Sequence, residues 1–162
     1  MIAGSLTYTR ADEADIEGIQ HVAAKTWRAT YKGIFSEEFI ASFLGRAYST
    51  EALQRSIRNP QALFLVAKDA DRVVGYCHFG PGERGPELYR MYVLPDYWRA
   101  GIGTRFVHMM EAHWREQGVS EYSCVVHARN EIGKAFYLKH GFVHEPARDQ
   151  ADEWCMVRRI GR

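Results

Sequence analysis

No stretch of this 162-residue chain is long and apolar enough to span a membrane, which takes about 20 such residues. Residues 1–5 (MIAGS) carry no basic region followed by an apolar core, so no secretory leader is expected. Cysteine is scarce. Cys77, Cys124 and Cys155 stand far apart with no Cys-x-x-Cys pair, which argues against a disulfide framework and a zinc site and makes a reducing cytoplasm the expected compartment. An excess of either charge is missing too. Lys and Arg number 21 and Asp and Glu 20, leaving a net charge of +1, which offers no electrostatic pull on nucleic acid or an anionic membrane. Internal repeats, low-complexity tracts and linkers are also lacking. What is there is 46% apolar and 25% charged residues, the balance of a soluble globular protein. The length suits one domain spanning 1–162 with a real core.

Periodicity places the elements. Residues 6–10 alternate like a strand, and a helix with acids in its first turn follows from Ala11. A capped helix is expected from Ser36 and another over 49–58, stopped by Asn59-Pro60. Strands over 62–68 and 72–79 flank Asp69-Ala70-Asp71, a hairpin signal. Composition assigns 80–86 (GPGERGP) to a loop, and 87–94 reads as the next strand. A helix from Ile102 to Gly118, a strand over 121–126, a helix over 131–140 and closing strands over 143–147 and 154–160 follow. This order describes an α/β chain, a sheet with helices on both faces.

Within that frame the run Tyr92-Val93-Leu94-Pro95-Asp96-Tyr97-Trp98-Arg99-Ala100-Gly101-Ile102-Gly103-Thr104 carries the most information. It is an apolar strand, a proline stop, a loop with two glycines and the start of a long amphipathic helix. Such a start leaves backbone N–H groups bare, and these with the helix dipole favour an anion, phosphate above all. Each hydrogen bond to a charged oxygen is worth roughly 1.5–3 kcal/mol. The Lys-Ser/Thr pair of a Walker loop and the three-glycine dinucleotide fingerprint are both missing, which counts against an ATP-type or dinucleotide site.

A second run, Asn130-Glu131-Ile132-Gly133-Lys134-Ala135-Phe136-Tyr137-Leu138-Lys139-His140-Gly141-Phe142, opens on a capping asparagine and closes on a glycine before an aromatic. Together the two runs resemble the Gcn5-related N-acetyltransferase (GNAT) family, which moves an acyl group from acyl-coenzyme A to an amine. The resemblance implies a mixed, mostly antiparallel central sheet with helices on both faces. It implies acetyl-CoA as the acyl donor, with no metal, and an amine of a small molecule or peptide as acceptor. The pyrophosphate would lie on Arg99, Gly101, Ile102, Gly103 and Thr104. The pantetheine arm would lie along the backbone of Met91 and Val93 and beside Asn130 and Phe136. The family's Gln/Arg position holds Trp98, which has no amide or guanidinium to offer. Arg99, one residue on, carries a positive charge instead.

Tyr137 is the candidate general acid. A sulfur leaving a thioester carries negative charge, and a phenol of pKa near 10 can hydrogen-bond or protonate it. Glu87, at the head of the strand that feeds the glycine loop, is the candidate base, with His127 and His78 behind it. The aromatic run around Trp27 and Tyr31, one turn apart, offers either a helix-pair core or a wall for a cationic acceptor. Direct attack without an acyl-enzyme is expected, since no cysteine has a paired base in sequence. A non-catalytic acyl-CoA-binding regulatory module is the alternative, and a homodimer is the expected assembly by resemblance to relatives.

Overall fold

The computed structural model describes residues 6–161. Residues 1–5, on which the absence of a leader was read, and Arg162 lie outside the described residues. In chain order the structure has β1 (Leu6–Arg10), α1 (Ile16–Tyr31), α2 (Glu37–Ala47), α3 (Thr50–Arg58), β2 (Leu63–Asp69), β3 (Arg72–Gly82) and β4 (Gly85–Val93). There follow α4 (Ile102–Glu116), β5 (Glu121–His127), α5 (Glu131–Lys139), β6 (Val143–His144) and β7 (Glu153–Arg159). Local chemistry sets the helix starts. The side chains of Ser36 and Ser49 accept from the amides of Phe39 and Ala52, and Asp12 and Asp15 close a capping box ahead of α1.

The strands lie in the order β1-β2-β3-β4-β5-β7-β6. Every neighbouring pair is antiparallel except β4 with β5. Helix α1 crosses one face so closely that a Cβ on Gly18 would lie 2.6 Å from Cγ2 of Val73 on β3. On the other face Phe79 of β3 meets Trp114 of α4 edge-on, ring centroids 5.0 Å apart. Burying such aromatics contributes roughly 1.5–3 kcal/mol each.

Two sequence expectations are corrected. The GPGERGP stretch is no open loop: Pro81 pairs with Pro86 and Gly82 with Gly85, leaving a two-residue turn at Glu83-Arg84. Glycine and proline mark turns by composition, but here the long antiparallel ladder carries pairing to the hairpin tip, where Gly85 at φ +114° turns the chain. The strand expected over 143–147 keeps only Val143–His144, because Pro146 opens a 3-10 turn over Pro146–Arg148.

The parallel pair positions the site. A parallel connection needs a crossover, supplied here by α4. Strands β4 and β5 share a single paired register, Glu87 with Ser123, and then part. Leu94 donates to Val74 across the β3 side, so the alternation of the antiparallel ladder turns the backbone of Met91 and Val93 away from β3 and into the gap.

A buried charge ties the helix and strands around this gap. Glu111 of α4, 3% exposed, accepts from Tyr122 Oη on β5 at 2.7 Å and from Arg158 Nε on β7 at 3.0 Å. Removing one partner of such a network strands the other. Glu111→Ala is expected to lower the unfolding free energy by about 2–4 kcal/mol in a urea titration, and a loss below about 0.5 kcal/mol would show the network to be dispensable.

Candidate active site

The gap between β4 and β5 opens into a cavity of about 210 Å³. Its walls are β4 from Leu88 to Val93, β5 from Cys124 to Val126, the first turns of α5, the end of α1, Trp98 and Gly103. It lies where the two parallel strands end and the crossover helix begins, the place where open sheets receive ligands.

Gly101 precedes α4 at φ +81°, a left-handed backbone that favours glycine, and no side chain caps the helix. The first-turn amides of α4 therefore have no partner inside the helix. Gly103 is small for a different reason: a Cβ there would lie 3.0 Å from the Phe136 ring. Phe136 in turn stacks on His140, centroids 4.1 Å apart. His140 Nδ1 lies 2.8 Å from the Phe136 carbonyl, which can only accept, so Nε2 accepts from the Thr104 hydroxyl at 2.8 Å. The two sequence runs are thus packed into one unit. Ile102 is 1% exposed and its side chain belongs to the core, leaving its amide as the group a ligand could meet. Arg99 is exposed in the turn before α4 and is not part of the cavity wall.

Asn130 caps α5, its Oδ1 accepting from the Gly133 amide at 2.8 Å. Gly133 is required by that cap, since a Cβ would lie 2.7 Å from Asn130 Nδ2 and 3.0 Å from Cγ2 of Val126. Tyr137 lines the cavity, 9% exposed, with no hydrogen-bond partner for its hydroxyl among the described residues. Burial holds its pKa well above the usual phenol value, with nearby Cys124, Cys77 and Tyr31 adding to the shift. Tyr31 also lines the cavity and bonds Tyr92 through the two hydroxyls at 2.9 Å.

Other expected residues are placed elsewhere. Trp27 is 8% exposed, stacked on Phe43 at 4.3 Å, and is absent from the cavity wall. Tyr31, one turn further along α1, is the member of the expected pair that lines the cavity; the two rings lie 4.4 Å apart and share a buried cluster with Ile40 of α2. Glu87 is likewise outside the wall, and its carboxylate lies back against Gly82 of the hairpin. Burial raises its pKa, and Glu83 and Glu153 add to the shift. His127 Nδ1 accepts the Arg129 amide at 3.0 Å, which leaves the proton on Nε2. His78 is buried, its pKa lowered to about 3 by burial and by Arg90, whose Nε donates to it at 3.1 Å. Burial also pushes the Cys124 thiol up, so it stays protonated in the wall.

Sequence reasoning missed several members of the wall. Trp98 donates its indole N–H to the Val93 carbonyl at 2.7 Å, a contact no motif announces. Val125, in an interior strand, is 49% exposed, because the sheet face over β5 beside Phe35 and His127 is uncovered. Ile132 is 53% exposed on the first turn of α5, where helical spacing gives no warning.

A family profile described as an acetyltransferase (GNAT) domain matches residues 60–144. The spermidine N(1)-acetyltransferase of Thermoplasma acidophilum is 35% identical over 132 residues, covering 79% of this chain and 82% of that protein. An aminoglycoside N(6')-acetyltransferase type 1 of Acinetobacter genomosp. 13 is 30% identical over 108 residues, 60% of this chain and 73% of its own length. Among solved structures, the PaiA N-acetyltransferase of Thermoplasma acidophilum in complex with coenzyme A superposes with a TM-score of 0.89 at 31% identity, covering 96% of this chain and 99% of that one.

The cap at Asn130 reverses an ordinary expectation. Alanine in a helix is favoured over glycine by roughly 0.5–1 kcal/mol, yet Gly133→Ala is expected to lower stability by about 1 kcal/mol because the new methyl displaces the cap. A melting temperature equal to or above that of the parent would overturn this.

Proposed function

The chain belongs to the Gcn5-related N-acetyltransferase family and is an N-acetyltransferase, and from that premise we propose that it moves the acetyl group of acetyl-CoA directly to a primary amine, with Tyr137 as general acid. The acceptor is a small polyamine-like or amino-acid-like molecule, or a peptide amine. The observation that carries this is the unpartnered Tyr137 hydroxyl in a cavity that runs between the parted strands toward the N-terminus of α4.

The pyrophosphate of the donor meets the first-turn amides of Ile102, Gly103 and Thr104, with Arg99 adding charge from outside. The pantetheine arm takes the place of the missing β5 partner, so that its amides meet the backbone of Met91 and Val93, with Asn130 and Phe136 alongside. The neutral amine attacks the thioester carbonyl carbon, forming a C–N bond and a tetrahedral oxyanion. Its collapse breaks the C–S bond, and the electron pair goes to sulfur. Tyr137, kept protonated by burial, hydrogen-bonds that thiolate and gives it the proton, and the extra proton that the attack leaves on the nitrogen passes through water to restore the phenol. The protonated thiols of Cys77 and Cys124 support transfer without an acyl-enzyme.

An acceptor ammonium must first lose a proton, which costs about 4 kcal/mol for a group some three units above neutral pH. Glu87, outside the wall, takes that proton through water. Its raised pKa puts the ionised, basic form at a higher pH than for an ordinary carboxylate. Tyr31 and the open sheet face at Val125 form the acceptor side. The likeness to a spermidine acetyltransferase supports a polyamine among the acceptors.

Free-CoA release from acetyl-CoA, measured against polyamines, amino acids, aminoglycosides and peptide N-termini, tests the whole. Release with one amine class is expected, and none with any class would sink the proposal. Tyr137→Phe should lower kcat about 100-fold with little change in acetyl-CoA affinity; unchanged turnover removes its role. For Glu87→Gln, the acidic limb of the pH–rate profile should move, and an unmoved limb removes Glu87 as base.

A further inference from the structure

Trp98 stands where the family pattern has a Gln or Arg, and its geometry suits a different ligand chemistry. The residue is 42% exposed, yet backbone and ring are each held by a hydrogen bond. Its main-chain amide donates to Pro95 at 3.1 Å, and its indole N–H donates to the Val93 carbonyl at 2.7 Å. A rigid exposed aromatic gives up little conformational entropy when a ligand covers it. Ile132, 53% exposed on the first turn of α5, lines the same cavity. Single exposed apolar residues need no explanation, but three share this ligand-sized wall, Val125 on β5 and the other two, Trp98 before α4 and Ile132 on α5, flanking the stretch that also holds Gly103, which marks where an apolar ligand segment lies.

The indole N–H also has a consequence for hydrogen bonding. Of the backbone groups that β4 turns into the gap, the Val93 carbonyl already has a donor within the chain. The ligand segment at this level therefore need not donate, and the side chain at this position brings no charge to the phosphates.

We propose that Trp98 and Ile132 form an apolar clamp for the pantoyl segment of the acyl donor, the quaternary carbon with its two methyl groups next to the pyrophosphate. The clamp rests on the acetyl-CoA reading above. It moves donor recognition in this chain from a charged contact at the loop to apolar packing beside it. The nucleotide half of the donor is then held by the α4 amides and is indifferent to Trp98.

The test is isothermal titration of the full chain with coenzyme A, with pantetheine and with adenosine 3',5'-bisphosphate, which lacks the pantoyl segment. Trp98→Ala and Ile132→Ser are each expected to weaken coenzyme A and pantetheine about tenfold and to leave the bisphosphate unchanged, as for truncated anchors in a pocket. Trp98→Phe keeps an apolar ring without the N–H and should stay within about threefold of the parent. Ile132, being exposed, keeps the test open if a Trp98 variant folds poorly. Unchanged coenzyme A affinity in both truncations overturns the clamp. So does an equal loss for the bisphosphate, or a Phe variant as weak as the Ala one. A parent chain that binds no coenzyme A at all would overturn the donor reading itself and the clamp with it.

Discussion

The separation of two parallel strands after a single bridged pair is the constraint on which the rest of this structure depends. An interior strand normally satisfies its amides on both edges. Beyond Glu87 and Ser123, β4 has a partner only on the β3 side. Each backbone group left unpaired in a dry cleft costs roughly 1–3 kcal/mol, and the fold meets that demand in part through the Trp98 indole on the Val93 carbonyl. Tyr31, Asn130 and Tyr137 occupy the walls that keep the strands apart. An extended ligand with its own amides would complete the edge as a third strand would.

The inner wall of the cleft holds several buried, neutral groups, with Arg90 the charged side chain among its lining residues. The phenols of Tyr92 and Tyr137 and the thiol of Cys124 are all pushed up by burial, so none carries charge near neutral pH. In such a medium the partial charges of the bare α4 amides act over a longer reach than they would in water. The packing of Phe136 on Gly103, and the hydrogen bond of Thr104 to His140, lock the start of α4 to the helix that carries Tyr137. On the proposed function, placing the phosphate and placing the reacting sulfur are therefore one packing problem.

Much of this was legible in the chain. Hydrophobic periods located the helices and most strands, because local burial patterns repeat at 3.6 or 2 residues wherever one face is covered. The two glycine-bearing runs pointed to the α4 start and to Tyr137. Where composition competed with long-range pairing it misled, as at GPGERGP, since glycine and proline counts cannot register the ladder that holds a hairpin to its tip. Trp27 and Tyr31 looked equivalent one turn apart, and both are buried with their rings 4.4 Å apart, yet Tyr31, further along α1, is the one that reaches the cavity wall. Glu87 read as a strand-head acid, and only the fold shows that the hairpin sets its carboxylate against Gly82, outside the cavity wall.

By itself the sequence determined the element types, the glycine positions demanded by backbone angle or close packing, and the aromatic and asparagine residues of the α5 run. These are local matters of φ, helix capping and residue size, written in adjacent letters. The tertiary structure alone decided which groups share the cavity and in what state. The parting of β4 and β5 after one paired position opened the gap, the placing of the last turn of α1 against it brought Tyr31 rather than Trp27 to the wall, and the folded chain brought Trp98 onto Val93. Burial then raised the Tyr137 pKa, a property that exists only once residues distant in sequence have displaced its water.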